Sequence, residues 1–189
     1  YVRDFLRSQR DAPFSYEEVG ASREGAPPDY TVDHNRVKLG SGEETFVRAV
    51  EALRHWKMFD LGWVRAVAPG PPEVGRTVGV LARHYGFWSL NACRVVYLIE
   101  DEKEGLRRYG FAYGTLPEHG ERGEERFTIE WNRNDGSVFY DIYAFSRPKH
   151  PLARVGYPAS RLLQGRFARD SKRAMVEIVG EPRASATSE

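Results

Sequence analysis

Between Phe59 and Arg147 the chain alternates apolar and polar side chains with a period of two, the repeat of strands that bury one face. The cleanest stretch is 125–132, where Phe127, Ile129 and Trp131 stand opposite Arg126, Thr128 and Glu130. Phe59, Leu61, Trp63, Arg65 and Val67 share a face of an earlier strand, closed by Pro69-Gly70-Pro71-Pro72. Further strands are expected over 76–85, 88–100, 107–116 and 137–147, with Asn134-Asp135-Gly136 as the hairpin turn into the last. The strand over 107–116 carries Tyr109, Phe111, Tyr113 and Thr115 on one side and Gly110, Ala112 and Gly114 on the other. That second face has no bulk, so it either admits a helix at close range or leaves space for a ligand. Weaker strand signals, over Phe14–Val19 and Tyr30–Leu39, precede the series.

On either side of the strands the repeat lengthens to that of a helix. Ser41-Gly42-Glu43-Glu44 reads as a capping box, followed by Phe46, Val50, Leu53 and Lys57 near one stripe, so a helix is expected to end near Lys57. From Pro151 to Val179 a second stripe runs through Ala159, Leu163, Phe167, Ala174 and Ile178, with Gly156 and Pro158 marking a kink or a later start and Gly180 a stop. About 20 helical residues span roughly 30 Å, enough to cross a sheet. Successive antiparallel strands curl through their twist, and the concave face needs a cover. The expected architecture is α+β: a curved antiparallel sheet of six to seven strands gripping a long C-terminal helix, in one domain over 1–179, with 180–189 a disordered tail.

Composition narrows the function classes. Hydrophobic residues at 41% of 189 supply a single core, and a net charge of +1 speaks against a dedicated nucleic-acid binder. The lone cysteine, Cys93, leaves no internal disulfide and no thiolate metal site, so a reducing, cytoplasmic setting is expected. No apolar run approaches the roughly 18 residues of a membrane span. The first ten residues lack a signal-peptide pattern, and without an initiator Met the segment upstream of Tyr1 is left open.

Several strings together resemble a known family: His34-Asn35-Arg36, Trp56-Lys57-Met58-Phe59, the run Asn91 to Tyr97, Gly110 to Pro117, Gly123 to Phe127, and Ala144 to Pro148. These look like the uncharacterised domain of unknown function nineteen-ninety, found in bacteria and plants, and the likeness extends from about Phe14 to Val179. The family is distantly similar to START-like and birch-pollen-allergen-like helix-grip proteins. The resemblance implies that fold and supplies no activity, cofactor or catalytic residues.

No G-x-S-x-G, H-E-x-x-H, Walker A or G-x-G-x-x-G motif occurs, and the five histidines have no metal-ligand spacing, so no catalytic residue, metal or cofactor is expected. Gly40-Ser41-Gly42 before a helix suits an anion, although a serine cap explains it equally well. In the strand over 88–100, Asn91, Cys93, Val95 and Tyr97 are expected to point one way, and Arg94 the other with Ala92, Val96 and Leu98. A charge there requires a partner: an ion pair with Asp141 or Glu130, or an anionic ligand head-group. The candidate ligand-binding residues are Asn91, Arg94, Tyr113, His34 and Arg147, with Arg76 a further strand-borne polar group. The expected function is binding a small hydrophobic or amphipathic molecule in a cavity between sheet and C-terminal helix. Two other readings stand beside it. One is an enzyme acting on a hydrophobic substrate through Arg94, Asn91 and His34. The other is a module docking an anionic partner, such as a membrane surface contacted peripherally, through the basic run Arg147 to Arg173.

Overall fold

The computed structural model describes residues 1–84, 86–149 and 153–180, and of residues 153–158 the backbone alone. The expected disordered tail therefore lies, from residue 181 on, outside the described residues. Seven strands form one antiparallel sheet: β1 (Thr31–Ser41), β2 (Val64–Val67), β3 (Thr77–His84), β4 (Phe87–Lys103), β5 (Leu106–Thr115), β6 (Glu121–Asn132) and β7 (Ser137–Pro148). Their order is β1-β7-β6-β5-β4-β3-β2. Strands β2 to β7 run as a meander, while α2 (Glu43–Arg54) carries the chain from β1 to the far edge. The sheet curls into a half-barrel, and α3 (Ala153–Gly180) lies across its concave face. The chain has a helix-grip fold.

Alternation sorts the side chains onto two faces. Phe111, Phe127, Ile129, Val138, Tyr140 and Ile142 point inward and are buried with Leu53, Met58 and Phe59. Phe59, in a short 3-10 turn, holds this core together. Its ring lies 5.5 Å from Phe127 and stacks on Phe167 of α3 at 5.1 Å. Further along α3, Met175 and Val179 are buried, and Tyr140 shares a hydrogen bond with Ser171 at 3.0 Å. Beyond Phe167 the buried stripe is therefore Ala168, Ser171, Met175 and Val179, while Ile178 of the expected stripe is exposed.

Helix α2 departs from the sequence reading at both ends. Ser41 belongs to β1, the N-cap is Gly42, and no side chain caps the helix. The hydroxyl of Thr45 donates to the Ser41 carbonyl instead, at 2.8 Å. The helix ends at Arg54 because Trp56 adopts a left-handed backbone (φ 58°), held by its indole N–H donating to the Gly70 carbonyl at 2.9 Å and by its ring on Phe111. Consequently Phe59 and Leu61 fall in turns, and β2 starts only at Val64.

The convex face holds most of what was not legible. Residues Phe14 to Val19 form no strand; they run along this face with one ladder-like bond, Ser15 N–H to the Thr115 carbonyl at 2.9 Å. The small-residue face of β5 is convex too, and Tyr16 of the N-terminal segment lies over it. A Cβ on Gly114 would lie 2.1 Å from the Tyr16 hydroxyl oxygen, so the glycine is what allows Tyr16 to lie flat there. A bulge between Val95 and Tyr97 shifts the phase of β4, so Tyr97 faces the convex side instead of following Asn91, Cys93 and Val95. In front of this segment, α1 (Val2–Ser8) packs Leu6 against Gly79 of β3.

The carboxylate of Glu124, 3% exposed, ties this strap down. It accepts from the Tyr16 hydroxyl at 2.6 Å, the Gly20 N–H at 2.7 Å, the Ser22 N–H at 3.1 Å and the Ser22 hydroxyl. Ser22 in turn accepts from the Tyr97 hydroxyl at 2.6 Å, and its carbonyl accepts from Arg126 at 2.7 Å. Replacing Glu124 with Ala leaves four donors, three of them in buried bonds, without that acceptor. Since bonds to a charged group contribute about 1.5–3 kcal/mol each and are not additive, the loss in stability is expected to reach about 3 kcal/mol or more in urea melts. Hydrogen exchange should then rise first over residues 14–23.

Candidate functional site

The concave face is not filled completely. A pocket of about 460 Å³ lies between the sheet and the first half of the described α3. Phe59, Trp63, Val64, Val80, Ala82 and Ile142 give it an apolar wall, and Leu163 and Phe167 close it from α3. Trp63 is fixed by its indole N–H donating to Asp170 at 3.0 Å and by the Arg166 guanidinium 4.3 Å over its ring.

Its polar groups come from six strands, a loop and the helix. Glu125 of β6, reached from the pocket, accepts from the Tyr113 hydroxyl of β5 at 2.7 Å. Burial pushes the Glu125 carboxyl up to about 7; Asp33 and Glu121 nearby push the same way, and the Tyr113 bond opposes them. Burial also raises the Glu121 carboxyl, which accepts from Gln164 of α3. Asp33 of β1 is held by Arg161 of α3, and Asn35 accepts from Lys172 at 3.0 Å. His119 in the β5–β6 loop accepts from the Glu121 N–H through Nδ1 at 3.0 Å, and burial pushes its imidazole down to about 4, so it stays neutral.

Of the five candidates read from sequence, the pocket brings together two, Asn91 and Tyr113. Asn91 donates to Ser89 at 3.2 Å on the β4 side of the wall. The other three face the convex side. His34 lies 2.6 Å from Asp141 through Nε2. Arg147 stacks over Tyr30 at 4.4 Å. Arg94 donates to the carbonyls of Gln9, Arg10 and Ala12, where it satisfies the end of α1. The expected ion pair of Arg94 is absent because Asp141 is engaged by His34 and Arg126, and Glu130 by Arg36. Arg76 is likewise taken, by Glu73 and the Pro71 carbonyl. An enzyme site built from Arg94, Asn91 and His34 is thus ruled out, because Asn91 faces the pocket while Arg94 and His34 lie on the convex face. Cys93 is buried, and burial pushes its thiol up, which favours the protonated form.

The residues that the sequence reading missed are Asp33, Glu121 and Glu125. Glu125 did carry a signal, since it falls in step with Phe127, Ile129 and Trp131 on the buried face. A carboxylate in that register is costly unless something requires it. Among the described residues, no group of three or more His, Cys, Asp and Glu is placed to hold a metal ion. No helix among them is long and apolar enough to cross a membrane.

Residues 15–174 match the model of a domain of unknown function, DUF1990. The chain belongs to the DUF1990 family. It is similar to a UPF0548 protein of Dictyostelium discoideum, 38% identical over 197 residues that cover 95% of this chain and 91% of that one. A UPF0548 protein of Deinococcus radiodurans is 40% identical over 187 residues, covering 92% and 91%. Among solved structures, TTHA0849 from Thermus thermophilus shares the fold with a TM-score of 0.53 and 14% identity, over 79% of this chain and 97% of that one. A truncated norcoclaurine synthase from Thalictrum flavum does so with a TM-score of 0.50 and 12% identity, over 85% and 99%. These two likenesses carry the helix-grip fold alone.

The Glu125 carboxyl sets a pH dependence for this DUF1990 protein. The unfolded chain gives up the proton near pH 4.5 and the folded chain holds it to about 7, so ionising Glu125 in that window favours unfolding. Glu125→Gln, which keeps an acceptor for Tyr113, is expected to equal the parent chain at about pH 4 and to exceed it in stability at about pH 8. Urea melts at the two pH values decide this; equal differences at both would contradict it.

Proposed function

We propose that this DUF1990 protein binds a small hydrophobic or amphipathic molecule in the pocket between the sheet and α3. The observation that carries the reading is an apolar pocket of about 460 Å³ with a few convergent polar groups. Ligand sites are concave, mostly apolar, and about 300–1,000 Å³ in volume. The two walls, one of strands and one of helix, are joined by Phe59 on Phe167 and by Asp33 on Arg161, which supports a pocket formed in advance of a ligand. The lone buried thiol supports reading the setting as cytoplasmic.

One observation favours a second reading, an enzyme acting on a hydrophobic substrate in the same place. Tyr113 and Glu125 form a hydrogen-bonded pair on the wall, and a carboxyl that titrates near neutral pH suits proton transfer. The norcoclaurine synthase likeness adds nothing to that reading beyond the fold. Docking of an anionic partner through α3 has less support. Arg161, Arg166, Arg169, Lys172 and Arg173 already engage Asp33, Asp170, Asn35 or Glu177.

The uncharged, polarity-sensitive dye Nile red tests the pocket. Its fluorescence should rise and shift to the blue on titration with the purified chain. Ala144 lines the pocket, and Ala144→Trp should fill it and weaken the dye by about tenfold or more, about 1.4 kcal/mol, with circular dichroism unchanged. A parent chain that leaves the dye dark, or a variant that binds it as well as the parent, would sink the proposal.

A further inference from the structure

The charges around the pocket are one-sided. Asp33, Glu121 and Glu125 line it, and among the described lining residues there is no Lys or Arg. Among the described residues, the Lys and Arg side chains that reach its lining or its loop are engaged: Arg161 with Asp33 and Gln164, Lys172 with Asn35, and Lys149 with the Pro117 carbonyl. Asp33 is thereby neutralised and Glu121 is bound by Gln164, but among the described residues Glu125 makes no ion pair. A carboxylate offers about four acceptor sites. The Tyr113 hydroxyl fills one of them.

An uncompensated carboxyl on an apolar wall is destabilising in the empty protein, and what would compensate it is a donor carried in by the ligand. A carboxylate or phosphodiester head-group offers no donor in its ionised form and would meet the Glu121 and Glu125 carboxyls, with no Lys or Arg among the described lining residues to answer it. An ammonium group brings positive charge and N–H donors together, and charge-assisted bonds of this kind are the stronger ones. The apolar body of such a molecule has Phe59, Trp63 and Phe167 to lie against, and aromatic faces also attract cations.

We propose that the pocket selects hydrophobic molecules bearing a basic nitrogen, with the ammonium group held against the Glu125 carboxylate, and discriminates against anionic amphiphiles. The inference rests on the pocket being a ligand site and names the class of ligand. Glu125 sets the selectivity, Tyr113 orients its carboxyl, and the apolar wall supplies affinity without regard to charge.

The test is calorimetric titration of the full chain with three probes that share one aromatic body: naphthylethylamine, naphthylethanol and naphthylacetate. The amine is expected to bind roughly tenfold or more tighter than the alcohol, and the acetate more weakly than either. In Glu125→Gln, with its fold checked by circular dichroism, the gap between amine and alcohol should close to within about threefold. If the alcohol binds and the amine is no tighter, or if Glu125→Gln keeps the full preference, the selectivity is wrong while the pocket reading stands. If the acetate binds tightest, the charge argument is overturned. If none of the three binds and Nile red also fails, the pocket reading falls and this inference falls with it.

Discussion

Two adjacent carboxylates on β6 organise this protein, because neighbouring side chains on a strand must leave by opposite faces. Glu124 goes to the convex side, where it gathers hydrogen bonds from Tyr16, Gly20 and Ser22 and pins the N-terminal strap across the back of the sheet. Glu125 goes to the concave side, where one tyrosine hydroxyl is its partner and an apolar pocket its surroundings. The first is a structural anchor with its bonds satisfied. The second is half-buried on the pocket wall, with its bonding capacity largely unspent.

That contrast sets the two faces of the sheet apart within one dipeptide. The convex side closes on itself: Glu124 is surrounded by donors, Arg94 caps the carbonyls at the end of α1, and Gly114 makes room for Tyr16. The concave side behaves otherwise. Phe59 and Phe167 join helix to sheet, yet the space beside them stays open and is lined with acids. Titratable groups pushed from their ordinary range cluster at functional sites, and Glu125, Glu121 and His119 do so around one pocket.

The strands were legible because a half-buried strand writes its period directly into the chain. Phe127, Ile129 and Trp131 face the core as their alternation requires, and β3 through β7 fall within a few residues of their expected bounds. The site was legible in part. Asn91 and Tyr113 line the pocket, but Arg94, His34 and Arg147 were chosen for being polar on a strand, and polarity does not say which face of the sheet the ligand would use. The bulge at Val96 shows the same weakness, since one extra residue turned Tyr97 to the other side without any break in the apolar pattern. The capping box at Ser41 failed for a related reason: sheet pairing drew the serine into β1, and backbone ladder bonds outweighed a local side-chain cap.

The sequence by itself determined the α+β class, the antiparallel meander and the long closing helix, because each depends on periodicities that a run of ten or so residues expresses on its own. Only the tertiary structure decided which face of the curled sheet the helix would cover. It also decided that the N-terminal segment would occupy the small-residue face, and that Asp33, Glu121 and Glu125 would share a pocket with Phe167. Those residues are separated by up to 134 positions (167 minus 33), and they meet because β1 returns to pair with β7 while α3 crosses the hollow. Contacts of that range are set by sheet closure and packing, which no local pattern records.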